Sequence, residues 1–252
     1  MLYDPTTERL DGINERLSLI QSKNGLLFGT DSYLLSAFAR EAKSGTCVEL
    51  GGGTGVVSLL CAAREKYRKI YSVELQPYFA ELIARNADMN SLADTVLPLC
   101  KDVREITQAD VGGECDIVLS NPPYMKKGSG KTNESDEMNI ARREENGTIA
   151  EFCASAARVL RYGGYFSAVY RPDRLTEIFV SMRIAGLEPK KLVTVYPTTE
   201  DKPCLVLIEA KKGASEGLVC SRPLIIYKNK ATGEYTPDMA KIYDDFSLNH
   251  LF

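Results

Sequence analysis

Short apolar runs alternate with longer amphipathic segments along this chain. The pattern predicts an α/β protein with seven strands in a mostly parallel sheet, one antiparallel strand near an edge, and helices on both faces. Three observations carry the prediction. Thr46 to Leu50 reads as a strand, Gly51 to Gly55 as a tight loop and Val56 to Arg64 as a helix, and a second strand follows at Lys69 to Glu74. Further strands at Thr95 to Cys100, Asp116 to Ser120 and Tyr165 to Tyr170 are each separated from the next by enough chain for a crossover. Leu192 to Tyr196 and Cys204 to Ala210 are joined by a polar segment too short for a crossover helix, so this pair must run antiparallel.

With 252 residues there is ample material for a core, and 44% hydrophobic with 26% charged residues is ordinary for a soluble protein. No stretch approaches the length of a membrane span, and Met1-Leu2-Tyr3-Asp4-Pro5 lacks the basic-then-apolar pattern of a signal peptide, so a cytoplasmic protein is expected. The seven cysteines form no C-x-x-C pair, and most sit in apolar surroundings, which speaks against a metal centre or a disulfide framework. The single histidine, His250, lies at the chain end, which leaves no basis for histidine catalysis. A net charge of −3 and a pI of about 5.5 argue against a globally basic nucleic-acid-binding surface, although a local basic patch stays open.

Taken in order, Asn24-Gly25 suggests a hairpin turn between Leu19-Ile20 and Leu26-Leu27-Phe28. Ser32 to Ala39 has helical spacing, with Thr30 or Asp31 as its N-cap; the same groups can also face a ligand at the helix start. The glycine loop permits positive φ and close approach of backbone to a ligand, as in the opening of a Rossmann-like β-α-β unit. Glu74 stands about 20 residues further on, where a ribose-binding carboxylate belongs. No Lys-Ser or Lys-Thr follows the glycines, which excludes a P-loop. The spelling Glu49-x-Gly51-x-Gly53-x-Gly55 puts an acid before the loop. That acid would repel a pyrophosphate and suits a ligand with a ribose and a cationic or zwitterionic end. Here the sequence resembles the class I S-adenosylmethionine-dependent methyltransferases.

Pro77 to Met89 is an amphipathic helix opened by proline. Asp102 follows the third strand; in the methyltransferase pattern an acid there contacts the cofactor adenine, and an ordinary loop aspartate is the alternative. The fourth strand ends in Asn121-Pro122-Pro123-Tyr124, where the prolines forbid continuation. This sets a carboxamide, a carbonyl and an aromatic ring at the carboxyl edge of the sheet, where open α/β sheets bind ligands. An exocyclic or amide nitrogen delocalises its lone pair and is a poor nucleophile. Two acceptors, the Asn121 oxygen and the Pro122 carbonyl, can each take one N–H, and Tyr124 can stack on the planar group. Alone, the same residues also suit an ordinary turn.

The polar stretch from Met125 to Asn146 is long for a loop inside a domain, which suggests a lid, a substrate-holding segment or a merely solvated loop. Ile149 to Leu160 reads as a helix closed by Tyr162-Gly163-Gly164, and Pro172 to Ala185 as another. In the tail, Leu224 to Tyr227 and Gly233 to Thr236 suggest a small hairpin, and Pro237 to Tyr243 a helical turn or two.

The glycine loop, Glu74 and Asn121-Pro122-Pro123-Tyr124 in this order look like an amino-methyltransferase. Phe28-Gly29-Thr30-Asp31-Ser32-Tyr33-Leu34-Leu35, Lys126 to Lys131, Ala141-Arg142-x-Glu144, Pro223 to Tyr227 and Gly233-x-Tyr235-Thr236-Pro237 are similar to the bacterial tRNA (adenine-N6) methyltransferase family. That family acts on the adenine beside the anticodon of a valine tRNA. The resemblance implies that Gly51, Gly53 and Gly55, with Glu49 before them, line S-adenosylmethionine. Glu74 would bind its ribose and Asp102 its adenine, Thr30 and Asp31 would face its amino-acid end, and Asn121 would also contact the cofactor. Asn121, Pro122, Pro123 and Tyr124 would form the catalytic motif, and Lys126, Lys127, Lys131, Arg142 and Tyr124 would hold a tRNA anticodon stem-loop. It further implies residues 1–43 as an N-terminal extension, 44–212 as the catalytic domain and 213–252 as a C-terminal extension, in a monomer without metal. Two alternatives stay open: glutamine methylation of a protein such as a release factor, and a cofactor-binding module without turnover. About forty residues before the first catalytic strand are too few for the helical substrate domain of the glutamine enzymes.

Overall fold

The computed structural model describes residues 3–14, 17–23, 28–122 and 147–252. At its start, β1 (Glu8–Asn14) and β2 (Leu17–Ser22) pair antiparallel, with Glu8 opposite Ser22 and Leu10 opposite Ile20. Leu19-Ile20 pairs with the strand before it, and the expected Asn24-Gly25 turn with Leu26-Leu27 lies outside the described residues. β1 gave no apolar signal because the one side chain it buries is Glu8. Glu8 accepts hydrogen bonds from Arg85 at 3.1 Å and Tyr78 at 3.0 Å, which docks the hairpin on the helix Pro77–Met89.

Helix α1 (Thr30–Phe38) follows, capped by Gly29 without a side-chain bond, so Thr30 and Asp31 lie in the first turn and not at the cap. β3 (Ala42–Leu50), α2 (Val56–Ala63), β4 (Tyr67–Glu74), α3 (Pro77–Met89) and β5 (Val96–Cys100) then form two parallel crossovers. The chain returns to the other side of β3 for β6 (Cys115–Ser120). Helix α4 (Ile149–Val159) leads straight into β7 (Leu160–Tyr170), so Tyr162-Gly163-Gly164 is not a helix stop. Cys115 pairs with Leu160 but Ile117 with Tyr165, and the extra residues are absorbed where Gly163 takes φ +79°.

Helix α5 (Leu175–Ile184) precedes β8 (Leu187–Tyr196) and β9 (Leu205–Lys212). β9 inserts between β7 and β8 and runs antiparallel to both, as the short connection required. These seven strands are the expected sheet. The tail adds β10 (Val219–Cys220) and β11 (Leu224–Ile225) along the outer edge of β8, making nine strands among the described residues. Leu224-Ile225 thus extends the main sheet, and the tail hairpin is β12 (Tyr227–Asn229) with β13 (Glu234–Tyr235). Helix α6 (Pro237–Asp245) closes the tail, its Thr236 cap accepting from the Met239 N–H.

Strand side chains alternate between two apolar layers. Ile117 and Leu119 pack with α1, α2, α3 and α6, while Val118 packs with α4 and α5. Helices therefore cover both faces of the sheet, as predicted. No helix among the described residues is long and apolar enough to cross a membrane.

Candidate active site

The chain lays down β3, β4 and β5 outward in one direction and then crosses back to place β6 on the opposite flank of β3. In an open parallel sheet, such a reversal leaves a crevice at the strand carboxyl ends, because the loops on its two sides diverge. Leu50 is level with Ser120 in the β3·β6 pair and with Val73 in the β3·β4 pair. The glycine loop, Glu74 and Asn121 consequently leave the sheet at one level, on three neighbouring strands.

The loop turns sharply because Gly51, Gly53 and Gly55 adopt φ of +79°, +54° and +84°. Its start is pinned by the Gly51 and Gly52 N–H groups, which both donate to the Val73 carbonyl at 2.9 Å. A Cβ on Gly53 would meet nothing within 4 Å, so this backbone faces open space where a ligand can approach. Gly52 serves packing instead, since a Cβ there would lie 2.2 Å from the Ser72 hydroxyl oxygen.

Glu74 is buried at the end of β4, with its carboxylate aimed back at the loop. Oε2 accepts from the Gly53 N–H and Oε1 from the Gln76 N–H, each at 2.9 Å. Burial pushes its carboxyl above the ordinary value, and these backbone donors pull it partway back. Each oxygen retains a second lone-pair direction, which suits a vicinal diol. Glu49 lies beneath the loop: its Oε2 accepts from the hydroxyls of Ser58 and of Ser72, the latter at 2.9 Å. Full burial raises the Glu49 carboxyl to about 7 against the opposing pull of those hydroxyls. Asp102 follows β5 and caps a short 3-10 turn by accepting from the Arg104 N–H at 2.8 Å. The Arg104 side chain binds the same carboxylate and lowers its pKa.

At the end of β6, the Ser120 hydroxyl donates to the Leu50 carbonyl at 2.8 Å and ties the two strand ends together. The Asn121 amide nitrogen donates to Asp31 Oδ2 at 2.9 Å, with Ser32 Oγ at 3.5 Å. An ionised carboxylate can only accept, so the edge of Asn121 facing α1 must be its NH₂. The carboxamide oxygen then points the opposite way, with its orientation set by Asp31.

Known proteins resemble this chain in sequence and in fold. Residues 36–127 match the family described as TRM5/TYW2 methyltransferase domain. The "tRNA1(Val) (adenine(37)-N6)-methyltransferase" of Porphyromonas gingivalis is 25% identical over 240 residues, covering 92% of each chain. Among solved structures, a predicted O-methyltransferase from Agrobacterium tumefaciens superposes with a TM-score of 0.68 at 20% identity, over 86% of this chain and 97% of that one. M. jannaschii TYW2 in complex with AdoMet gives 0.56 at 15% identity, over 83% and 87%.

The fold is that of the S-adenosylmethionine-dependent methyltransferases. Within this methyltransferase fold, Gly51, Gly53, Gly55, Glu74, Asp102 and Asn121 follow the carboxyl ends of neighbouring strands, Asp31 bonds Asn121, and Glu49 is buried beneath the loop. Thr30 lines a neighbouring cavity between the hairpin, α2 and α6. Pro122 is buried at the edge of the described chain, while Pro123, Tyr124, Lys126, Lys127, Lys131 and Arg142 lie outside the described residues. Several supporting residues escaped the sequence reading: Ser58 and Ser72 brace Glu49, Ile83 packs on Gly55, and Phe152 packs on Gly51. Asn86 also belongs here, since it donates to the Thr54 carbonyl at 3.0 Å and to Ile20 of the hairpin at 3.1 Å. A serine between Tyr71 and Val73 in the inner part of β4 was the signal for Ser72.

Proposed function

We propose that this chain transfers a methyl group from S-adenosylmethionine to the N6 amine of an adenine in tRNA, the adenine beside the anticodon of a valine tRNA. The observation that carries the reading is the Asn121 carboxamide, fixed by Asp31 at the sheet edge beside the glycine loop. The similarity to tRNA adenine-N6 methyltransferases over most of the chain supports the choice of substrate.

The residues present fit the cofactor: an open glycine backbone at Gly53, an oriented carboxylate at Glu74 and a second carboxylate at Asp102. S-adenosylmethionine, when bound, supplies an electrophilic methyl group on a sulfonium centre. Glu74 would hold the ribose hydroxyls and Asp102 the adenine amine, while Gly51, Gly53 and Gly55 keep side chains out of the way. Glu49 supports the loop from below. Asn121 presents its oxygen to one N–H of the target amine and the Pro122 carbonyl accepts the other, which directs the nitrogen lone pair outward. Tyr124 would stack on the base, with Pro123 completing the motif, and Lys126, Lys127, Lys131 and Arg142 would meet the RNA. We assign residues 1–43 and 213–252 as extensions on a catalytic domain of residues 44–212, working as a monomer in the cytoplasm.

The test is incubation of the purified protein with methyl-labelled S-adenosylmethionine and tRNA lacking modifications, followed by digestion to nucleosides. Label in N6-methyladenosine supports the assignment. Label absent from RNA but present in a release factor would transfer the acceptor to a glutamine amide, and label in neither would remove the activity.

A further inference from the structure

A cavity of about 800 Å³ opens between the β1·β2 hairpin, α1, α2 and α6. Its lining includes Phe28, Thr30, Tyr33, Arg64, Tyr243 and Asp244. It is distinct from the cofactor crevice, since its α2 residues come from that helix's far end, away from the glycine loop. It is nevertheless adjacent to the catalytic carboxamide, because Thr30 lines it and the next residue, Asp31, holds Asn121.

The chemistry of its walls is that of a nucleotide site. Phe28 and Tyr243 are half-buried and present ring surface. Tyr243 is held rigidly, with its ring 4.5 Å from Tyr33 and 5.1 Å from Tyr235, which in turn stacks on Tyr227 at 5.3 Å. A ring locked by neighbours loses little freedom on stacking against a base. The exposed Arg64 guanidinium lies 4.9 Å over the Phe246 ring and forms no ion pair among the described residues. It is thus a cation available to a phosphate. Asp244, also on the wall, repels a second phosphate but can accept an N–H from a base edge. Docking of the tail does not require this open space, because Met239, Ile242 and Phe246 already bury the inner side of the tail.

We propose that this cavity receives a nucleotide of the RNA flanking the target adenine, with its base against the aromatic wall and its phosphate at Arg64. The inference rests on the tRNA reading above and adds a substrate subsite to it. It also answers a difficulty of that reading. A chain with net charge −3 is poorly suited to hold RNA by broad counterion release. Stacking in a preformed aromatic pocket supplies affinity that depends little on salt.

The experiment measures tRNA methylation by the full chain and two variants, Arg64→Ala and Tyr243→Leu, at several salt concentrations. KM for tRNA is expected to rise about tenfold over wild type in Tyr243→Leu with the salt slope intact, as loss of one stacked base implies. In Arg64→Ala the slope of log affinity against log salt should fall by about 0.7, the share of one single-strand phosphate. Affinity for S-adenosylmethionine should stay at the wild-type value in both. An RNA with 4-thiouridine beside the target adenine should cross-link to the wild-type peptide carrying Phe28 or Tyr243, which decides the matter if Tyr243→Leu fails to fold. Unchanged KM and salt slope in Arg64→Ala, or a cross-link mapping elsewhere, would overturn the subsite while leaving the RNA activity standing. No label in RNA with wild-type protein would overturn both.

Discussion

Replacing Asp31 with asparagine exchanges one oxygen for an amide nitrogen and removes one charge at the start of α1. In the native protein the carboxylate dictates which edge of Asn121 is NH₂, through a 2.9 Å bond. An amide at position 31 can offer either a donor or an acceptor, so Asn121 becomes free to rotate its oxygen toward α1, where it cannot hold a target amine. A hydrogen bond to a charged group contributes about 1.5–3 kcal/mol. At about 1.4 kcal/mol per factor of ten, full expression in the transition state corresponds to a rate loss of roughly 10- to 150-fold. Asp31 is partly solvent-accessible, which screens the bond and favours the lower end, about tenfold. The assay is single-turnover methyl transfer to tRNA with saturating S-adenosylmethionine, paired with calorimetric titration of the cofactor. A slowed step with unchanged cofactor affinity identifies Asp31 as a positioning residue for Asn121. Weakened cofactor binding with an unchanged step would place Asp31 at the amino-acid end of S-adenosylmethionine instead, and an unchanged rate refutes the orienting role.

Asn121→Ala should abolish transfer while cofactor affinity stays close to wild type; undiminished turnover removes Asn121 from the mechanism. Gly52→Ala should destabilise the fold by about 1–3 kcal/mol, because the new methyl must displace Ser72 from Glu49, and thermal denaturation reads this directly. Asp102→Ala should weaken S-adenosylmethionine binding about tenfold, as loss of a charged hydrogen bond implies; calorimetry showing wild-type affinity would detach Asp102 from the adenine. Glu49 gives a pH signature. The folded state keeps its proton up to about pH 7 whereas the unfolded chain releases it near 4.5, so stability falls as pH rises across that window. The shift corresponds to a loss on the order of 3 kcal/mol, which Glu49→Gln should largely abolish. Parallel urea-denaturation profiles of the two proteins between those pH values would contradict it.

The catalytic sheet was legible because its signals are local. The apolar runs at Thr46 to Leu50 and Asp116 to Ser120 could be buried on both faces in a parallel sheet alone, and prolines or glycines marked their ends. Glu74 was legible by spacing. The N-terminal hairpin was not, because β1 is held by a partly buried ion pair to Arg85 and by backbone pairing, neither of which leaves a periodic trace. The Asn24-Gly25 dipeptide carried the strongest turn signal of this region, whereas β2 pairs with the strand before it. The bulge at Gly163 and the capture of Leu224-Ile225 by β8 were hidden for a related reason. Each depends on the register of a strand distant in sequence, and a one-residue slip would send every side chain to the opposite face.

The role of the N-terminal hairpin follows from Asn86. Its carboxamide accepts the Ile20 N–H at 2.7 Å and donates to both the Ile20 and Thr54 carbonyls, so one buried side chain joins the hairpin to the glycine loop. The hairpin also forms one wall of the cavity whose other wall is α1, the helix that carries Asp31. The glycine loop, the hairpin and the cavity beside α1 are thus connected through Asn86 and the hairpin. Asn86→Leu, which keeps the volume but cannot reach the Thr54 or Ile20 backbone, leaves buried polar groups unpaired at about 1–3 kcal/mol. Because these groups belong to both the loop and the hairpin, the variant should weaken S-adenosylmethionine and tRNA together in paired binding titrations. Loss of affinity for only one of the two would show that the loop and the hairpin act independently.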